Sequence, residues 1–155
     1  MHATKRWPEE RWCELEAALA ARGVGRVILS TAAERRALPR LAAQVAASTG
    51  ASWVTDSLER CGALLGVCAA AVTHDSGLMH LAAARGTRVV ALFGSTSPVL
   101  GFVPCGAGHE VISLGLPCQP CTLHGRDRCP KRHFRCMMGI EVAAVRDRVT
   151  RLLES

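Results

Sequence analysis

Apolar residues recur along this chain in two rhythms. In "WPEERWCELEAALAARG" (7–23), Trp12, Leu15 and Leu19 are spaced to share one helix face. Pro8 suits the first helical position, Glu9 and Glu10 complement the positive end of the helix dipole, and Gly23 is a stop signal. Helical spacing returns in "AERRALPRLAAQVAAS" (33–48), where Pro39 should kink the helix or delay its start. It returns again in "SLERCGALLGVC" (57–68), with Leu58, Leu64 and Leu65 expected inward, and in "GLMHLAAARG" (77–86). The last such segment, "IEVAAVRDRVTRLLE" (140–154), carries Val142, Val145, Val149 and Leu152 on one stripe. The second rhythm is the short, continuously apolar run: "RVILS" (26–30), "AAAVTHD" (69–75), "RVVALFG" (88–94), "HEVISL" (109–114) and, more weakly, "ASWVTD" (51–56). Such runs read as strands without a wet face.

Strands and helices therefore alternate, which predicts a doubly wound α/β unit: a parallel sheet covered by helices on both faces. The chain opens on a loop and helix, so a first strand and its partners are expected to be missing. At 155 residues it fits one domain, with a cysteine-rich loop over 118–136 and a closing helix over 139–155.

Composition narrows the class. With 49% apolar residues and dispersed charge the chain should be globular. The longest apolar run, 63–72, is about half of a bilayer crossing. Without a basic-then-apolar leader, a soluble intracellular protein is expected. The net charge of +6 suits an anionic partner, and equally the arginine and alanine bias of a GC-rich genome. Of the eight cysteines, Cys13, Cys61 and Cys68 lie in apolar helical patterns and read as small core residues.

Candidate chemistry gathers where the strand 69–73 ends and Asp75-Ser76-Gly77 turns into a helix. In open parallel sheets ligands bind beyond the carboxyl ends of strands, and the first N–H groups of a helix favour an anion. A phosphate fits there, with Ser76 as a donor and Gly77 allowing close approach. Asp75 repels phosphate and suits sugar hydroxyls instead, while His80 reaches the same face as a donor. A sugar joined to a phosphate accounts for this mixture. The alternative is that Asp75 or Ser76 caps the helix and His80 packs on the sheet. Walker and GxGxxG patterns are absent.

The segment "DSGLMHLAAARGTRVVALFGSTSP" resembles the signature of glycosyltransferase family 9, the bacterial heptosyltransferases of the lipopolysaccharide inner core. "KRWPEERW" (5–12) resembles the family's Lys-x-Trp-Pro segment, and "CQPC…CM" (118–137) a cysteine-containing tail seen in many members. The resemblance implies a GT-B enzyme of two Rossmann-like domains, of which this chain matches the C-terminal, donor-binding one. It further implies ADP-heptose as the donor, a lipid-linked saccharide acceptor and inversion at the anomeric centre. Lys5 then matches a lysine that neutralises the diphosphate, and Glu34 an acidic residue on the ribose. Asp75, Ser76, Gly77, Leu78 and His80 match the loop and helix start around diphosphate and heptose, with Leu78 contributing its backbone N–H. Thr4 is adjacent to, but out of register with, the family's threonines, and Asp56 stands where an apolar contact to the base is usual. The family's catalytic Asp lies in an N-terminal domain without a counterpart here. The expectation is thus a fragment or half of a split enzyme, inactive alone, cytoplasmic or peripheral at the inner membrane face, pairing with a separate N-terminal half.

Cys118-x2-Cys121-x7-Cys129-x6-Cys136 places four thiols in one loop, close to several arginines. Four thiolates suit a structural zinc, with packed reduced thiols, an iron–sulfur cluster or disulfides as the alternatives. No cofactor is required for the chemistry. Two other functions compete with transfer: a zinc-loop nucleic-acid module, disfavoured because interleaved aromatics are missing, and a non-catalytic sugar-nucleotide sensor.

Overall fold

A computed structural model describes residues 2–154. Five strands alternate with seven α-helices: α1 (Glu9–Ala20), β1 (Arg26–Leu29), α2 (Ala32–Arg36), α3 (Pro39–Ala47), β2 (Ala51–Val54), α4 (Leu58–Leu65), β3 (Ala70–His74), α5 (Gly77–Ala84), β4 (Arg88–Leu92), β5 (Glu110–Ile112), α6 (Arg135–Met138) and α7 (Val142–Glu154). All pairing is parallel. β1 pairs with β2 from Arg26↔Ala51 to Leu29↔Val54, and β3, β4 and β5 form a second ladder in that order.

β4 shows why the strands carry no polar face. Val90 and Leu92 pack with Trp7, Leu15 and Leu19 at α1 and with Val145, Val149 and Leu152 of α7. The alternate residues Val89, Ala91 and Phe93 pack on the opposite side with Leu65 of α4 and with Met79 and Ala82 of α5. Successive side chains point to opposite faces, and each face is covered by helices, so both must be apolar. This is the α/β architecture expected from the alternation.

Local chemistry sets several boundaries. The segment 33–48 is two helices rather than one, because Pro39 opens α3 at its first position and Thr31 with Glu34 forms a reciprocal capping box for α2. Leu58, expected inward, is 71% exposed. Ser57 caps α4, so Leu58 lies in the first turn and the inward stripe begins at Cys61 and Leu65. Of the other two helical cysteines expected in the core, Cys13 and Cys68 are only half-buried. In α7, Val145, Val149 and Leu152 are buried, and Val142 packs partly against them.

One buried ion pair ties the N-terminal elements together. Arg26 of β1 lies 2.7 Å from Glu16 of α1, and Gln44 of α3 donates to the same carboxylate at 2.5 Å. Burial opposes ionisation of Glu16, but the bonds from Arg26, Gln44 and Ser48 outweigh it and hold the carboxyl below its ordinary range. Among the described residues no helix is long and apolar enough to cross a membrane.

Candidate functional site

The carboxyl ends of β3 and β4 lie side by side, because His74 is paired with Leu92. The chain leaves β3 through Asp75-Ser76 into α5 and leaves β4 through Gly94-Ser95-Thr96. Against these two exits lies the segment that precedes α1, and it is pinned from several sides. Trp7 is almost wholly buried; its indole donates to Ile140 O at 3.0 Å and its backbone N–H donates to His74 Nε2 at 2.8 Å. Trp12 packs edge-on against both Trp7 and His74. Thr4, also buried, exchanges bonds with Arg126 of the cysteine loop and accepts from Ser95 Oγ at 2.9 Å.

Lys5 is thereby delivered to Asp75. Its Nζ stands 2.7 Å from Oδ2, with both side chains largely buried. Thr96 Oγ1 donates to the same oxygen at 2.8 Å. The Asp75 backbone N–H donates to Leu92 O, which holds the turn against β4. Asp75 is therefore an anionic anchor with two donors on one oxygen.

The start of α5 is left open. Ser76 occupies the N-cap in extended conformation, yet its side chain makes no capping bond and lies 3.4 Å from Thr73 Oγ1. The first N–H groups of a helix have no internal partner, and here the N-cap side chain does not supply one. A Cβ added at Gly77 would meet nothing within 4 Å, so the surface beside this turn is open. Leu78, partly buried, packs its side chain against the core around Phe93. His80 is exposed on the first turn of α5 rather than packed on the sheet. The capping alternative thus finds no bond to support it.

Lys5, Asp75, Ser76, Gly77 and Leu78 are brought together. Glu34 stands at the same end of the sheet, near enough to bear on the charge of His74. Its carboxylate is committed to α2, accepting from Thr31 N and Oγ1 at 3.0 Å each. Partial burial disfavours its ionised form, but those bonds and the positive charge of Arg6 outweigh it and lower its pKa. Asp56 accepts from Ser57 N–H at 2.7 Å and pairs with Arg60 at 2.9 Å.

Sequence reasoning missed His74, at the end of the strand run 69–75, and Thr96, inside the motif that begins at Asp75. Burial, helped by the Arg6 and Lys5 charges, pushes the His74 pKa down from 6.5 to about 4, against the pull of Glu34. The ring is then neutral at pH 7, with Nε2 the acceptor for Trp7. The available signal was position: both residues flank strand ends where ligands gather.

The cysteine loop braces the site from behind. Cys121 N–H donates to Ser95 O at 3.0 Å, Gln119 Nε2 donates to Gly94 O, and Gly125 presses so closely that an added Cβ would fall 2.9 Å from Lys5 Cδ. Its thiols lie near enough to one another that, besides burial, negative charge on Cys121, Cys129 or Cys118 opposes ionisation of Cys136. Cys118 lies 3.9 Å from His133 Nε2, and Cys136 is buried, which raises its pKa to about 11. Cys129 is disfavoured as a thiolate by burial, yet the N–H groups of Phe134, Lys131, His133 and Arg132 outweigh this and lower its pKa. Among the described residues no three Cys, His, Asp or Glu side chains form a group that could hold a metal ion, so the zinc expected from the spacing finds no supporting geometry. Two surface depressions, of about 550 Å³ between α1 and α7 and about 230 Å³ beside the cysteine loop, touch neither Lys5 nor Asp75.

Fold and site together define a parallel α/β domain with an uncapped helix start beside a largely buried Lys5–Asp75 pair at the strand ends. Comparison with known proteins makes this specific. The family model for glycosyltransferase family 9 (heptosyltransferase) matches residues 1–131. Lipopolysaccharide heptosyltransferase 1 of Pseudomonas aeruginosa is 40% identical over 122 residues, covering 76% of this chain and 33% of that protein. Lipopolysaccharide heptosyltransferase 2 of Salmonella typhimurium is 36% identical over 99 residues, covering 61% of this chain and 28% of that one. Among solved structures, E. coli ADP-heptose lipopolysaccharide heptosyltransferase II superposes with a TM-score of 0.77 at 28% identity, over 99% of this chain and 43% of that chain. The E. coli heptosyltransferase WaaC with ADP superposes with a TM-score of 0.70 at 24% identity, over 98% and 41% respectively, a likeness of fold. The chain belongs to glycosyltransferase family 9, whose solved members adopt the GT-B fold. It spans about a third of the length of the curated relatives it matches.

Proposed function

We propose that this chain is the donor-binding part of a heptosyltransferase that transfers heptose from an ADP-linked donor to a lipopolysaccharide core acceptor, with inversion. The uncapped start of α5, facing open space beside the Lys5–Asp75 pair, carries this reading. The donor's diphosphate lies against the N–H groups of Gly77 and Leu78 and draws on the Lys5 ammonium. Asp75 and His80 face the sugar hydroxyls, and Glu34 the ribose. As the glycosidic bond breaks, negative charge grows on the leaving diphosphate, and preorganised amides and an ammonium stabilise it without reorganising.

The acceptor hydroxyl needs a general base. Asp75 does not supply it, because Lys5 and Thr96 occupy its Oδ2. The base comes from an N-terminal half of the enzyme, and this chain alone binds donor without turning it over.

Isothermal titration of the chain with ADP tests the reading. The wild type is expected to bind, and Lys5→Ala to weaken binding by about tenfold, the loss of one charge-assisted contact of about 1.4 kcal/mol. Equal affinity in both proteins contradicts the assignment of Lys5.

A further inference from the structure

Two consecutive residues of the loop after β4 reach opposite partners of the site. Ser95 Oγ donates to Thr4 Oγ1 at 2.9 Å and its backbone N–H to Thr4 O at 3.3 Å, which fixes the backbone next to Lys5. Thr96 Oγ1 donates to Asp75 Oδ2 at 2.8 Å, which fixes the carboxylate that Lys5 meets. Thr96 is fully buried and Ser95 nearly so, so neither hydroxyl is there for solvent. A buried hydroxyl must find a partner, and a hydrogen bond to an ionised acceptor is stronger than one to a neutral group. A β-branched side chain also has few rotamers to lose, so Thr96 holds its donor in one direction.

The order of support runs outward from the core. Leu92 and Phe93 lie in the two apolar cores on either side of the sheet, and Phe93 N–H is bonded to Ile112 O at 2.9 Å. Behind the loop, a Cβ at Gly94 would fall 2.7 Å from Met137 Cγ and 2.9 Å from Thr4 O, so the strand exit cannot shift without disturbing its packing. Thr96 is therefore the link between a strand end fixed in the core and the Lys5–Asp75 pair.

We infer that Thr96 is a positioning residue, acting through Asp75 to hold the Lys5 ammonium where the donor's diphosphate is bound. The inference rests on the donor-binding reading for its ligand and on the Thr96–Asp75–Lys5 geometry for its mechanism.

Two readouts separate these supports. Lys5 and Lys131 are the sole lysines of the chain, and Lys131 is exposed in the cysteine loop, so it serves as an internal standard for acetylation followed by mass spectrometry. In wild type Lys5 should acetylate far more slowly than Lys131. Thr96→Val, nearly isosteric, should raise the Lys5-to-Lys131 ratio about threefold or more, and Thr96→Ser, which keeps the hydroxyl, should restore it. In an Asp75→Ala background the ratio should already be high, and adding Thr96→Val should leave it unchanged, because the threonine then has nothing to position. ADP affinity should follow the same order, falling about fivefold in Thr96→Val and less than twofold in Thr96→Ser. A Thr96→Val protein that labels like wild type overturns the inference, as does an effect that adds fully to Asp75→Ala. So does a wild type that binds ADP measurably but no more tightly than Thr96→Val does. If no protein binds ADP while the labelling order holds, the donor reading fails and the positioning of Lys5 by Thr96 stands.

Discussion

His74 concentrates the residue-scale argument. Its ring lies under Trp12, accepts from Trp7 N–H, and is held neutral by burial with a pKa near 4 against 6.5 when exposed. Below pH 6.5 the unfolded chain takes up a proton at this position that the folded chain refuses. Stability is therefore full above pH 6.5 and drains as pH falls toward 4, by about 2 kcal/mol at pH 5 and roughly 3 kcal/mol at the end of that window. Urea denaturation of wild type and His74→Gln at pH 7.5 and pH 5 measures this share. The variant should lose about 2 kcal/mol less than wild type between the two pH values, and parallel losses would mean that His74 titrates normally. At this scale the sequence disclosed residue types and hid partners. Asp75, Ser76 and Gly77 stood out because a turn after an apolar strand is a local pattern. The meeting of Lys5 with Asp75 spans seventy residues and that of Thr96 with Asp75 twenty-one, and both follow from strand order, which no local pattern encodes.

At the scale of elements, alternation of continuous apolar runs with helical spacing was enough to find all five strands and the long helices. Both faces of β4 are dry, so its apolar run is continuous and insensitive to register. The failures were local competitions. Pro39 and the Thr31–Glu34 capping box split one expected helix into two, and Ser57 moved the start of α4 so that Leu58 faced out. The Arg26–Glu16–Gln44 cluster was invisible, since an amphipathic reading assigns charged side chains to solvent. Its burial gives a prediction. Glu16→Ala leaves Arg26 charged and enclosed, and should lower unfolding free energy by about 3 kcal/mol. A chemical denaturation curve showing less than about 1 kcal/mol of change would mean that water reaches the pair.

For the whole molecule, the separate assignments converge on one direction. β3 and β4 end together, the segment before α1 is bolted across those ends by Trp7 and Thr4, and the cysteine loop closes over the stem of Lys5. In the proposed donor-binding reading, each of these devices holds the Lys5 ammonium and the first amides of α5 where the donor's diphosphate enters. Preorganisation of this kind is what differential stabilisation of a leaving diphosphate requires. The cysteine loop acquires a role in this frame through its backbone: Cys121 N–H and the close approach of Gly125 support the Gly94–Thr96 exit and Lys5, with no metal group among the described side chains.

The claim at the centre is that the open start of α5 seats the diphosphate, and amide chemical shifts of the chain titrated with ADP report on it directly. The largest changes should fall at Gly77, Leu78 and Met79, with Asp75 and Lys5 following. Gly77→Ala should leave the melting temperature within a few degrees, since its Cβ meets nothing in the free protein, yet weaken ADP binding several-fold. Saturating shifts confined to another surface, with residues 75–79 unmoved, would contradict the account.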